Sequence, residues 1–360
     1  MEYSMRKIHI NLLFYFLLVC IGLAQEKIIS IQFGPSLEIG REKLFFGVIA
    51  GVCEDDRGDF FVLDRAEHKV YKFSPEGKLL LNFGNRGEGP GDFRMPNRIS
   101  YIDDKQIVVC DDMYFISFFQ ADGSFRKRIE INGRLAPGYI GEDRFYGWVW
   151  LPEGQQQVVV DGKNEAIRSF HTIARDSFSV SAPDSSGRLV MFNYGKDEFT
   201  PAFIFTHHKN HSALGISKEY DILILNNKGE IHSRIQRDIK PDIFSKKEKE
   251  YFREDLKTLA KKRGWPDRVV KDLEKIIPDE KNYFDHVLLS EEHVFVLRIP
   301  HDITKEDAPV PVDVFTLKGK FLGSTELENA PIHISNKNMY FVRSEEDGTV
   351  YLVKKQYEKK

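Results

Sequence analysis

Residues 55–83 read DDRGDFFVLDRAEHKVYKFSPEGKLLLNF, and residues 103–131 read DDKQIVVCDDMYFISFFQADGSFRKRIEI. Val62-Leu63-Asp64 in the first stretch aligns with Val109-Cys110-Asp111 in the second. Lys72-Phe73-Ser74-Pro75-Glu76-Gly77 aligns with Phe118-Phe119-Gln120-Ala121-Asp122-Gly123. The offset is about 46–47 residues, a period that belongs to repeat arrays and propeller blades. Within the first copy, short apolar strands alternate with turn residues such as Asp55-Asp56-Arg57-Gly58 and Pro75-Glu76-Gly77. Four antiparallel strands in each repeat make one blade of a β-propeller.

Further units follow. Residues 134–199 form an irregular third one, with strands expected at Phe145–Trp150, Gln157–Val160, Ile167–Ile173 and Leu189–Asn193. The fourth holds Phe203–Thr206, Ala213–Ile216, Tyr220–Leu225 and Ile231–Ile235. The fifth holds His286–Leu289, His293–Ile299, Val312–Leu317 and Phe321–Leu327. The sixth holds Ile332–Ile334, Met339–Arg343 and Val350–Lys354, and lacks a fourth strand. Ile28–Phe33 is a strand without a blade. Pairing it with the last unit closes the ring and removes two exposed sheet edges. The fold expected is all-β, a six-bladed propeller over 25–360.

One segment breaks the pattern. In Ser245–Ile277, apolar residues recur at helical spacing, and Gly264-Trp265-Pro266-Asp267 interrupts them. This predicts a helical hairpin inserted at about 241–281, with Asp267 capping the second helix. Its dense Lys and Glu read as a solvated face with paired charges.

The chain of 360 residues is 41% hydrophobic and carries 28 Phe and 14 Tyr, suited to strands and a large core. A net charge of −3 gives no global field for nucleic acid. Residues 1–24 have a positive start at Arg6 and Lys7, an apolar run from Leu12 to Leu23, and small residues before Gln25. That is the pattern of a cleaved secretory signal peptide. The mature chain is expected to be periplasmic or secreted, without a transmembrane span, and monomeric. Lipid attachment at Cys20 is the alternative, and Val19 before it fits poorly. Cys53 and Cys110 fall on strands of different repeats and are expected as free thiols.

Gly84-Asn85-Arg86-Gly87-Glu88-Gly89-Pro90-Gly91-Asp92-Phe93-Arg94-Met95-Pro96 resembles the G-x-x-G-x-G-P-G-x-F-x-x-P junction of NHL-repeat propellers. Val62-Leu63-Asp64 and Glu67-His68-Lys69-Val70 resemble two further steps of that repeat. The likeness is strong over residues 47–131 and weak elsewhere. It is nearest to exported bacterial six-bladed propellers related to NHL repeats, and it implies six blades. The motif residues themselves read as architecture: glycines and Pro90 shape a crossover, Phe93 packs beneath it, and Asp64 and Asp111 bind backbone N–H groups.

If the strands of each blade are lettered a to d from channel to rim, the b–c loops and the d–a crossovers emerge on one face. The longer loops of this chain fall there, including Asn85–Asn97, Pro300–Pro311 and the hairpin. Loops on a rigid scaffold carry binding, so this face is the expected site. It offers Arg65, His68, Arg86, Arg94, Arg98, Asp111, Asp112 and Tyr114. Such a mixture suits an envelope or extracellular protein, a peptide or a carbohydrate, bound without catalysis and without a cofactor. The alternative, implied by the resemblance, is a metal-dependent lactonase or lyase using a divalent metal. His207, His208 and His211 are the local cluster it could draw on, although adjacent strand residues point apart. No G-x-S-x-G, H-E-x-x-H or phosphate-loop motif occurs.

Overall fold

The computed structural model describes residues 28–41, 44–102, 105–111, 115–131, 135–174, 179–183 and 187–360. The segment 1–24 expected as a signal peptide, with Cys20, lies outside the described residues. Six four-stranded antiparallel sheets follow one another as blades of a ring. Their innermost strands are Ile49–Glu54, Pro96–Ile102, Leu135–Gly141, Phe203–His208, Phe284–Leu289 and His333–Ile334, and these pack against one another around a central channel.

Blade packing explains the unbroken apolar runs. Phe60, Phe61, Val62 and Leu63 are all fully buried. Strand side chains alternate, so Phe60 and Val62 face blade 6 with Tyr340 and Leu352, while Phe61 and Leu63 face blade 2 with Ile99 and Val109. A blade buried on both sides needs apolar residues at every position, which hides the strand period of two. Cys53 and Cys110 are buried, form no disulfide with each other, and belong to different interblade clusters.

Polar groups rivet the repeat. The Asp64 carboxylate accepts backbone N–H bonds from Gly47, Val48, Ala66 and Glu67. Asp111 does the same for Arg94 and Met95. Phe93 is 1% exposed beneath the crossover, and Gly84 (φ +88°) is required there, because a Cβ would stand 2.2 Å from its ring. Lys354 Nζ donates to the carbonyl of Pro75 (3.0 Å) and Lys72 Nζ to that of Ala121 (3.1 Å), so two buried lysines clasp equivalent turns of the next blade.

The ring is closed by the N-terminal strand, as expected, but with shifted bounds. Ile31–Ile39 pairs antiparallel with Val350–Lys359 as the outer strand of blade 6, from Ile31↔Lys359 to Ile39↔Leu352. The strand was expected at Ile28–Phe33, but it runs on through Gly34-Pro35. A register shift between Phe33 and Ser36 absorbs Pro35, since an edge strand tolerates a proline without an N–H to give. Ile29 then donates to Ser324 O (2.9 Å), tying the terminus to blade 5.

The third unit is not irregular. Leu135–Gly141, Arg144–Leu151, Gly154–Asp161 and Ala166–Ala174 form a full blade. Leu189–Asn193 leaves it and pairs with Ser179–Pro183 as a separate ribbon. Helices α1 (Lys246–Arg263) and α2 (Asp267–Lys275) form the expected hairpin. Ser245 and Glu248 make a reciprocal capping box on α1. Pro266, not Asp267, occupies the N-cap of α2, and Asp267 lies in its first turn, where a carboxylate favours the helix dipole. The apolar stripe Phe252, Leu256, Val269 and Leu273 is buried against Ala182 and Phe192 of the ribbon and Tyr194, Phe199 and Phe244 of the crossovers. Hairpin and ribbon, from consecutive crossovers, therefore share one core. Among the described residues no helix is long and apolar enough to cross a membrane.

Candidate functional site

The inner strands enclose a cavity of about 480 Å³ along the ring axis. Asp197, Ser217, Asp285 and His286 line it towards the face of the b–c loops and crossovers, and Phe203, Phe205 and Tyr139 give it an aromatic wall. Deeper, His207 from blade 4 and His333 from blade 6 contribute imidazoles. Each leaves Nε2 without a hydrogen-bond partner in the protein, whereas His207 Nδ1 meets Ser212 Oγ at 2.9 Å. Burial, with His208 and His211 nearby, pushes His207 down to about 3. Burial and His208 push His333 down to about 3 as well. Both are neutral rings, so they add polarity to this wall without charge.

The mouth differs. Asp285 lies 3.2 Å from His286 Nδ1 and raises that imidazole above its ordinary value. Burial, reinforced by Asp197, lifts the Glu198 carboxyl. Asp197 and Asp285 also line an adjoining pocket of about 300 Å³ with Glu198, Glu306 and Glu328. Acid at the rim thus gives way to aromatic and neutral polar groups inside.

At the opposite end, Lys209 Nζ bonds Asp56 Oδ1 (2.9 Å) and pairs with Glu291 (3.1 Å). Tyr101 donates to Asp56 (2.9 Å), and His208 Nε2 lies 3.4 Å from Glu291. Burial would lift the Glu291 carboxyl, but His208 and Lys209 hold it below the carboxylate range.

Of the expected site residues, the structure brings Arg94 and Asp111 together, through the backbone N–H of Arg94 on the Asp111 carboxylate. Arg98 lines the cavity, its guanidinium 5.8 Å from the Phe205 ring centre. Arg65, Arg86 and Arg94 are exposed on the loop face, Arg94 paired with Glu88 at 3.2 Å. His68 is half-buried in the b–c loop at φ 54°. Asp111 is 3% exposed and engaged with backbone. Asp112 and Tyr114 lie outside the described residues. His207, His208 and His211 part as strand alternation requires: His207 packs on Tyr139, His208 on His333 and His211 on His232. Among the described residues, His171, Glu219 and Asp221 do bring ligand atoms within 4.8 Å of one another. Arg234 already clamps Asp221 with two bonds of 2.5 and 2.6 Å, so this group fits an ion pair better than a metal. The cavity residues Asp197, Asp285, His286 and His333 escaped sequence reading, because a–d lettering locates loops but not which innermost-strand residues turn inward.

No curated protein matches the sequence. Among solved structures, a Bacteroides fragilis protein described as exported is 13% identical, with a TM-score of 0.56 over 92% of this chain and 96% of its own. A member of the duf4221 family from Bacteroides vulgatus is 10% identical, with a TM-score of 0.54 over 93% and 99%. Likenesses at this identity speak to the fold alone. Virginiamycin B lyase from Staphylococcus aureus is 9% identical over 91% of this chain and 99% of its own, and its TM-score of 0.41 is too loose to bear on activity. The chain is a six-bladed β-propeller, and its residues 27–147 match the model of a family described as "6-bladed beta-propeller".

Proposed function

We propose that this protein is a non-enzymatic, extracytoplasmic binding propeller that takes its ligand at the channel mouth on the face of the b–c loops and crossovers. The observation that carries the reading is the cavity itself. It reaches that face, is walled by Phe203, Phe205 and Tyr139, and is bordered by His207 and His333, whose Nε2 atoms are buried and have no hydrogen-bond partner in the protein. Aromatic walls with a few convergent polar groups are the makings of a binding pocket. Export is supported by the pattern of residues 1–24. A peptide or sugar fits the mixture of acid rim and neutral interior.

The test is affinity capture of envelope and extracellular material on residues 25–360, beside the Asp285→Asn/His286→Ala and His333→Ala variants. Material retained by the native chain and lost by both variants supports the reading. Equal retention by all three overturns it. Turnover of lactones or esters that depends on an added divalent metal would replace it with the lactonase or lyase alternative.

A further inference from the structure

The helical hairpin carries a charge pattern that a merely solvated face does not explain. Along α1 as far as Lys257, cations have local partners: Arg253 with Glu250 (3.4 Å) and Lys257 with Glu254 (2.9 Å). After Lys257 the pairing stops. Among the described residues, Lys261, Lys262 and Lys271 have no carboxylate within ion-pair distance, and all three are exposed. Arg263 lies 5.6 Å over the ring of Trp265, and Arg268 reaches only Asp272 at 4.0 Å. Between Lys261 and Lys271 there are five cations and one anion, Asp267, on a chain whose net charge is −3.

The ribbon adds apolar surface to this tip. Strand alternation turns Val190 and Phe192 inward, onto the helices, and Leu189 and Met191 outward. Leu189 is 72% and Met191 59% exposed. The Phe192 ring lies 5.7 Å from that of Trp265, which sets this end of the ribbon beside the hairpin turn. The other end of the hairpin is fixed: Lys281 Nζ, buried, bonds Glu248 (2.6 Å) and the carbonyls of Pro300 and His301 in the b–c loop of blade 5. The tip at Arg263 lies about 22 Å along α1 from Glu248, at 1.5 Å per residue.

We propose that this tip is a docking surface for an anionic phospholipid bilayer. Lys261, Lys262, Arg263, Arg268 and Lys271 face the headgroup phosphates, while Leu189 and Met191 enter the boundary between headgroups and acyl chains. Cations beside exposed aliphatic side chains are the combination that holds proteins at a bilayer surface. Acid at the channel mouth and base at the tip then serve different partners, so the surface is independent of the channel reading.

The experiment is co-sedimentation of residues 25–360 with vesicles of phosphatidylglycerol mixed with phosphatidylcholine, and with phosphatidylcholine alone. Binding is expected to the anionic vesicles and to weaken with added salt. Lys261→Ala/Lys262→Ala/Arg263→Ala is expected to weaken it roughly a hundredfold, from the contribution of each basic residue near such a surface. Leu189→Ser/Met191→Ser is expected to weaken it severalfold with the salt dependence kept. Circular dichroism and melting of each variant show whether the fold is intact. No binding, equal binding to neutral vesicles, or binding unchanged in a folded triple variant overturns the proposal. Retention on immobilised polyglutamate without vesicle binding also overturns it, and assigns the tip to an acidic protein.

Discussion

Lys209 in the inner turn of blade 4 places its ammonium 2.9 Å from Asp56 in the inner turn of blade 1. Those blades face each other across a ring of six, so one side chain spans the channel at the end away from the elaborated loops. The bond holds the Asp56 carboxyl below its ordinary range, and Asp56 and Glu291 raise the Lys209 ammonium against the effect of burial.

Lys209→Met should therefore unplug this end without unfolding the protein. Asp56 is 53% exposed, so the ion pair contributes about 1 kcal/mol or less. His208 is 7% exposed, close to Lys209's partner Glu291. Diethyl pyrocarbonate with peptide mass spectrometry should show His208 protected in the native chain and modified in the variant. Equal protection in both would mean that the lysine does not close the channel.

Stability should fall as pH drops from 7 to 5. His207 and His333 have folded values of about 3, far below the unfolded imidazole, so the unfolded chain binds more protons throughout that window. Stability therefore rises with pH between the two values and is complete above the unfolded one. Both rings are only half-buried, in a wall that water reaches, so the cost is about 1 kcal/mol each at pH 5. Denaturant melts at pH 7 and 5 check this. His207→Asn/His333→Asn should flatten the slope, and an unchanged slope would place the proton uptake elsewhere.

The blades were legible because turn chemistry repeats: Pro75-Glu76-Gly77 and Ala121-Asp122-Gly123 punctuate strands whose apolar runs have no other soluble explanation. The hairpin was legible from its 3.6-residue spacing. The ribbon was not. Leu189–Asn193 has a strand's pattern, but its partner is an earlier strand in the same crossover and its inner face is covered by helices more than fifty residues on. Long-range packing of that kind leaves no local mark. The site residues were harder still. Arg65, Arg86 and Arg94 attract attention because charge on loops is conspicuous, whereas the cavity is built from innermost strands, where a histidine looks like any other strand residue.

Glu248→Ala should be severely destabilising for the hairpin. Its carboxylate and the Lys281 ammonium are 2% and 1% exposed, and the carboxylate also accepts from Ile303 N. Removing one partner leaves a buried charge unpaired, at a cost of about 3–5 kcal/mol. Glu248→Leu/Lys281→Met should recover part of the loss, because it removes the lone buried charge while the capping box and the bonds to Ile303, Pro300 and His301 stay lost. Melting and hydrogen exchange of residues 246–275 would report it. A double variant as unstable as the single one would show that the ion pair itself, rather than avoidance of a lone charge, holds the hairpin.

The N-terminal strand should be detachable and restorable. Ile31–Ile39 supplies the outer strand of blade 6, and Arg41 extends the hold through Glu345 at 2.6 Å. A chain beginning at residue 42 loses that ladder and exposes the Val350–Lys359 edge, whose N–H and C=O groups then seek another strand. It should melt at lower temperature and associate with itself as concentration rises, seen by light scattering. The blades themselves remain, so β-rich circular dichroism should persist. A synthetic peptide of residues 28–41 added in trans should bind by main-chain pairing, raise the melting temperature in proportion to its concentration and suppress association. A peptide with Leu37 and Ile39 replaced by serine should fail, because Ile39 belongs to the core between blades 6 and 1 and Leu37 packs against it. A truncated chain as stable and as monomeric as the full one would show that blade 6 is complete with three strands and that closure rests on the blade interfaces alone.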